Sequence, residues 1–265
     1  MHSKKIIAHR GVPTLAPENT MAAFEKLTDF NINWLETDLG ITKDRRVVVL
    51  HDDDLDRTTS LSGALTETTY PNLAKASAGA WFGSEYAQET VPTLEQLITF
   101  LNRTKINVNI ELKAVTGDHA NELADSLVAQ FVAALDQIDP SIRVIVSSFS
   151  PVMLYKLKSR KADVETAVLF EQHTFYDDWL LIMQALDAKI IHPEDHGLTK
   201  AKVTMMKDHG YEINVWTVDK IDKANQLFNW GVDGIFTNIA DAFPGMQKQS
   251  GKVGRNYGHF LTTWY

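Results

Sequence analysis

Glu36 and Asp38 stand two residues apart in an otherwise apolar run, Trp34 to Leu39. In an extended strand that spacing turns both carboxylates to one face. Two like charges side by side in apolar surroundings are costly unless a cation or a buried base neutralises them. The run Val47 to Leu50 has strong β propensity and ends in His51. Only a few residues around Lys43, Asp44 and Arg45 separate the two runs. A parallel crossover needs a dozen or more, so the pair is expected to be an antiparallel hairpin. Folding it about Asp44 brings His51 roughly opposite Glu36 and Thr37, and so delivers two carboxylates and an imidazole to one place. Glu111 and Lys113 repeat the two-residue spacing, and His9 and Arg10 close the apolar run Ile6 to Ala8. Three carboxylates suit a hard cation, Mg2+ or Ca2+ with Mn2+ also admissible, water filling the remaining positions. Two histidines beside such an ion are better employed as acid and base, because neutral-pH titration is their distinctive property. Arg10 and Lys113 offer positive charge to a phosphate, which arginine can grip bidentately.

The elements that must position these residues alternate along the chain. Strands are expected at 6–8, 34–39, 47–50, 107–112, 144–147, 167–170, 189–192, 213–218 and 234–236. Helices are expected after Pro17-Glu18-Asn19-Thr20 and at 94–101, 120–135, 151–159, 179–186, 199–209 and 221–229. Strand–helix alternation at this spacing means βα units and a parallel sheet. With 47–50 set aside as the hairpin's return strand, eight strands remain. Eight parallel units in 265 residues suit a closed (β/α)8 barrel, which needs about 250. In this reading strand two lacks its own helix. An open doubly wound sheet is the alternative, but His9-Arg10-Gly11-Val12-Pro13 is not its glycine-rich first turn. The chain is read as a single catalytic barrel domain over 1–265. Residues 52–92, polar and then aromatic, are too long for an ordinary connection and are read as an insertion covering the site. The tail after Gly245 has no clear period and is read as a strap or loose end.

In a barrel, chemistry collects at the C-terminal ends of the strands. Those ends carry His9 and Arg10, Glu36 and Asp38, Glu111 and Lys113, Ser147 and Phe149, and Asn214 and Trp216. Trp216 is read as pocket wall, and Asn19 either caps a helix or orients a site group. Asp52 to Asp54 lacks the spacing and terminal glutamate of a Ca2+ loop. Zero cysteines exclude disulfides and thiolate chemistry. A net charge of −8 argues against broad nucleic-acid binding. No apolar run is long enough to span a membrane, and no stable membrane association is expected. The N-terminus shows no signal-peptide core, from which a cytoplasmic address is expected.

Several motifs taken in order resemble the glycerophosphodiester phosphodiesterase family, in its bacterial cytoplasmic form. They are His-Arg-Gly (9–11), Pro-Glu-Asn-Thr (17–20), Glu-Thr-Asp (36–38), His-Asp (51–52), Leu-Asp-Arg-Thr-Thr (55–59), Pro-Thr-Leu-Glu (92–95), Glu-Leu-Lys (111–113) and Asn-Val-Trp-Thr-Val (214–218). Each is weak alone; the ordered set, running from Ile6 to Asp241, is specific. The resemblance implies a barrel enzyme that splits a small glycerophosphodiester into sn-glycerol 3-phosphate and an alcohol. It implies that Glu36, Asp38 and Glu111 bind one divalent metal, that His9 and His51 share the roles of general base and acid in either order, and that Arg10 and Lys113 hold the phosphate. In the family's mechanism the glycerol 2-hydroxyl attacks phosphorus, and water then opens the cyclic phosphate. Two positions depart from the pattern: Asp54 stands where the family usually has threonine, and Asn238 where it usually has aspartate. Two rival readings keep the barrel: a lysophospholipase D-type hydrolase of lysophospholipids, and a barrel that binds a phosphorylated metabolite without turnover. A glycosidase would need its carboxylates about 5 to 9.5 Å apart across a sugar, which Glu36 and Asp38 do not suit.

Overall fold

The computed structural model describes residues 4–243; the tail after Gly245 lies outside the described residues. Nine strands form one sheet: β1 (Lys5–His9), β2 (Trp34–Ile41), β3 (Val47–Val49), β4 (Asn107–Leu112), β5 (Val144–Ser148), β6 (Glu165–Phe170), β7 (Ile190–Pro193), β8 (Glu212–Val215) and β9 (Gly234–Thr237). The helices are α1 (Met21–Asp29), α2 (Tyr70–Leu73), α3 (Leu94–Thr104), α4 (Ala120–Leu135), α5 (Pro151–Arg160), α6 (Trp179–Ala185), α7 (Lys200–Asp208) and α8 (Ile221–Trp230). The strand order β1-β9-β8-β7-β6-β5-β4-β2, with β1 also pairing β2, closes eight strands into a ring. Every pair in the ring is parallel, so the fold is a TIM barrel.

β3 lies outside the ring, antiparallel to β2 in the register Leu39↔Val49, Gly40↔Val48 and Ile41↔Val47. The Leu50 N–H donates to the Asp38 carbonyl at 3.2 Å, and carrying the register one residue further sets His51 level with Thr37. β1 pairs with β2 only as far as Glu36. The upper part of β2 therefore stands above the ring and is held by β3 and β4. β2 does have a crossover helix, contrary to expectation: α3 takes that place after the insertion. Its Leu97, Phe100 and Leu101 pack with Phe24 and Leu27 of α1 and with Leu35, Leu39, Val108 and Ile110 of the strands. Fully burying each such side chain is worth about 1.5–3 kcal/mol.

Helix starts follow local chemistry. Thr20, Ser150 and Thr199 each accept a hydrogen bond from the third residue on, at Ala23, Met153 and Lys202. Thr93 and Gln96 form a reciprocal capping box at α3. Between β1 and α1, Gly11 sits at φ +94°, where an added Cβ would lie 2.7 Å from the Ala23 Cβ, so only glycine lets the loop fold onto the helix.

Inside the ring the alternate residues stack in layers. At the base, Lys5 pairs with Glu212, and Arg143 with Glu212 and Glu165. Ile7, Trp34, Ile145, Ala167, Ile190 and Phe236 form an apolar plug above them. Residues 52–92 contribute no strand to the ring; they contain a 3-10 turn at Leu65–Glu67, α2, and a second turn at Ser84–Tyr86. Leu55, Leu65, Leu73, Ala78 and Val91 form a small core of their own with Val48 and Leu50. The Tyr86 hydroxyl donates to the Leu15 carbonyl at 2.7 Å, and Glu89 accepts from the Ala22 N–H, tying the segment to the loop before α1 and to the first turn of α1. Among the described residues no helix is long and apolar enough to cross a membrane.

Candidate active site

Above the apolar plug, β2 and β4 turn Glu36, Asp38 and Glu111 inward. Each offers an oxygen within 4.8 Å of the others, and all three are buried. Backbone register explains the meeting, since Asp38 is directly level with Glu111 across the parallel pair. Asn19 donates from Nδ2 to Asp38 Oδ2 at 2.8 Å and accepts at Oδ1 from the Thr37 hydroxyl at 2.8 Å. Thr20, not Asn19, is the helix cap, and Asn19 instead holds Asp38. Asp38 Oδ1 is buried with no protein partner.

Burial, reinforced by the Asp38 charge, pushes Glu36 well above the usual carboxylate range. The same two causes raise Glu111 to about 7, against the pull of Lys113. Burial also opposes ionisation of Asp38, but Arg10, His51 and Lys113 outweigh it and hold that carboxyl low. A divalent cation held by these carboxylates would offset their mutual repulsion, and the unpartnered Asp38 Oδ1 is a donor atom suited to one. Three oxygen donors also fit a hard ion.

The two imidazoles are tethered differently. His9 Nδ1 lies 2.8 Å from Asn238 Oδ1, and the Asn238 amide donates from Nδ2 to Asp219 Oδ2 at 2.7 Å. With the amide pinned in that sense, His9 must donate from Nδ1, leaving its Nε2 lone pair 3.9 Å from Glu36 Oε2. Burial lowers His9 to about 4, with Arg10 adding to the effect. His51 Nδ1 donates to Asp52 Oδ1 at 2.6 Å. Burial lowers His51 too, while the nearby Asp38 charge acts in the other direction.

Arg10 Nη1 pairs with Glu18 at 2.8 Å, and its Nε stands 3.6 Å from Asp38. Lys113 pairs with Glu111 at 2.8 Å and lies 6.0 Å above the Phe149 ring. Trp216 meets Phe149 edge-on at 5.3 Å and donates from Nε1 to the His192 carbonyl at 2.9 Å. Phe149 thus lies against both Trp216 and Lys113. Asn214 and Ser147, expected at strand ends, lie deeper. Both are fully buried, Asn214 against His192 and Ser147 against Asn109. Strand alternation places them on the inner face, but below the mouth.

A cavity of about 320 Å3 opens between the insertion and the β4–α4 loop, with Asp52, Asp54, Leu65, Lys113 and Val115 in its lining. Reasoning from sequence singled out neither Glu18, Arg57 nor Asp219. The first two sit inside quoted motifs, but their partners lie across loops; Asp219 carries no local signal.

Residues 9–242 match the model of the glycerophosphoryl diester phosphodiesterase family. A glycerophosphodiester phosphodiesterase of Caldanaerobacter subterraneus is 29% identical over 246 residues, covering 93% of this chain and 98% of its own. One of Bacillus altitudinis is 31% identical over 240 residues, covering 89% and 95%. Among solved structures, an Oleispira antarctica phosphodiesterase in complex with the product sn-glycerol-3-phosphate superposes with TM-score 0.83 at 29% identity, covering 88% of this chain and 92% of its own. The barrel, its inward acid trio and these relatives converge: the chain belongs to the glycerophosphoryl diester phosphodiesterase family and is a hydrolase of glycerophosphodiesters.

Proposed function

We propose that the hydrolysis is metal-dependent, that Glu36, Asp38 and Glu111 hold one divalent cation, Mg2+, Ca2+ or Mn2+, and that the products are sn-glycerol 3-phosphate and an alcohol. The observation that carries this is the meeting of a buried, mutually repelling acid trio with two imidazoles, each tethered through Nδ1. The product bound in the Oleispira antarctica enzyme supports the glycerol phosphate half of the substrate. When bound, the cation supplies Lewis-acid neutralisation of the phosphoryl charge.

The remaining work falls to side chains. His9, with its Nδ1 proton engaged by Asn238, presents Nε2 as an acceptor and acts as general base on the attacking hydroxyl. His51, its Nδ1 proton held by the Asp52 carboxylate, turns Nε2 toward the departing alcohol and acts as general acid in its imidazolium form, whose charge that carboxylate stabilises. Arg10 and Lys113 hold the phosphate oxygens and stabilise the charge that develops on them. Trp216 and the Phe149 ring bound the pocket on the Lys113 side. The insertion 52–92 covers the site, a reading supported by its ties to Leu15 and Ala22.

The test is a coupled assay of glycerol 3-phosphate release over a panel of glycerophosphodiesters and one lysophospholipid, with chelation and metal add-back. His51→Ala is expected to abolish turnover while metal affinity persists, and Glu111→Ala to lose both. Equal loss of metal in the two variants would sink this division of labour.

A further inference from the structure

Arg57 projects from the insertion and is 46% exposed, yet its guanidinium makes four hydrogen bonds to two carboxylates. Nε and Nη2 donate to Asp52 Oδ2 and Oδ1 at 2.6 and 2.9 Å. Nη1 and Nη2 donate to Glu18 Oε2 and Oε1 at 2.8 Å each. Each carboxylate keeps one oxygen on Arg57 alone and shares the other with a residue of the site. Asp52 Oδ1 is also the acceptor for His51 Nδ1, and Glu18 Oε1 is also the acceptor for Arg10 Nη1. The chain His51–Asp52–Arg57–Glu18–Arg10 therefore runs without a break from the hairpin end, through the insertion, to the loop after β1. A planar guanidinium gripped bidentately on two sides fixes both carboxylate planes, which a lysine ammonium cannot do.

We propose that Arg57 is a positioning residue that, through Asp52 and Glu18, sets the His51 imidazole and the Arg10 guanidinium in mutual register for the reaction. The proposal rests on the assignment of His51 and Arg10 in the preceding subsection. Asp52, freed from Arg57, can rotate and release the Nδ1 proton that selects the tautomer of His51. Glu18, freed likewise, can turn the oxygen on which Arg10 Nη1 rests, and the guanidinium then shifts relative to Asp38, 3.6 Å from its Nε. Because Arg57 itself is about half exposed, its ion pairs contribute little to global stability; their loss registers in turnover.

The experiment compares the parent enzyme, Arg57→Ala, Arg57→Lys and His51→Ala, each saturated with metal, for kcat, KM, Tm and response to added guanidinium. Loss of such supporting partners typically lowers activity about 10- to 100-fold. Arg57→Ala is expected to lose kcat in that range, with a smaller rise in KM through Arg10 and little change in Tm. Free guanidinium is expected to restore part of the lost kcat in Arg57→Ala and none in the parent, and Arg57→Lys is expected to stay impaired. Unchanged kcat in Arg57→Ala, full activity in Arg57→Lys, or a loss that tracks Tm and resists guanidinium would each overturn the proposal. Turnover surviving in His51→Ala would instead overturn the catalytic assignment on which it depends, so the two failures are separable.

Discussion

Asn19 and Thr20 divide two duties that adjoining polar residues often confuse. Asn19 places its amide between Asp38 and Thr37, while Thr20 caps α1 at the Ala23 N–H. Asn19→Ala is therefore expected to weaken metal affinity about 10- to 100-fold, as loss of an orienting partner does, with α1 intact. Thr20→Ala is expected to cost about 1 kcal/mol of stability and leave metal affinity unchanged. Metal titration calorimetry and urea unfolding on the pair of variants check both; a crossed result would contradict the split. At this scale the sequence was informative about side and poor about depth and partners. Period-two spacing correctly faced Glu36, Asp38, Glu111 and Asn214 inward, but it carries no height, so Asn214 was expected at the mouth and lies well below it. The support of His9 by Asn238 and Asp219 was not legible, because ring closure brings β9 beside β1 across 229 positions of chain.

The β2–β3 hairpin was legible because the short gap between its runs admits only an antiparallel return, and the observed register sets His51 level with Thr37. Helix positions were legible from caps and apolar periodicity. The role of α3 was hidden by the long segment between it and β2. That segment has a core of its own around Leu55, Leu65 and Leu73. Leu73→Ala removes a fully buried side chain, at a cost of about 2–5 kcal/mol. Because the small core is separate from those against the barrel wall, the expected result is faster amide exchange in 52–92 with β4 and β5 still protected. Loss of protection across the ring would show that the insertion and barrel unfold as one unit.

For the whole molecule, the mutual repulsion of the acid trio predicts that the proposed ion stabilises the fold. Saturation at 100 times Kd is expected to add about 2.7 kcal/mol of stability, read as a higher Tm that chelator reverses. The acid limb of stability has other sources. Burial opposes ionisation of Glu212, but Lys5 and Arg143 outweigh it and hold the carboxyl at about 2. Its contribution is therefore complete above its unfolded value near 4.5 and is lost as pH falls toward 2. Burial holds His192 at about 3, well below the ordinary 6.5. The folded state resists that proton, so stability also declines as pH drops from about 6.5 toward 3. Glu212→Gln is expected to lower Tm at neutral pH and flatten the decline between about 4.5 and 2. A profile merely displaced, parallel to the parent, would refute this source.

No hydrogen bond of the eight-stranded ring passes through β3. Whatever hangs from that strand can lengthen, shrink or be exchanged while the closure of the wall keeps the same geometry, and the entropic cost of a longer loop grows only slowly with its length. Arg57 and the stretch around Asp54 both lie in this portion, so an exchange that preserves turnover must keep the Arg57 bridge to Asp52 and Glu18. The scaffold thus carries the acid trio on ring strands and leaves the remainder of the segment, outside His51, Asp52 and Arg57, free to change in length without endangering the fold.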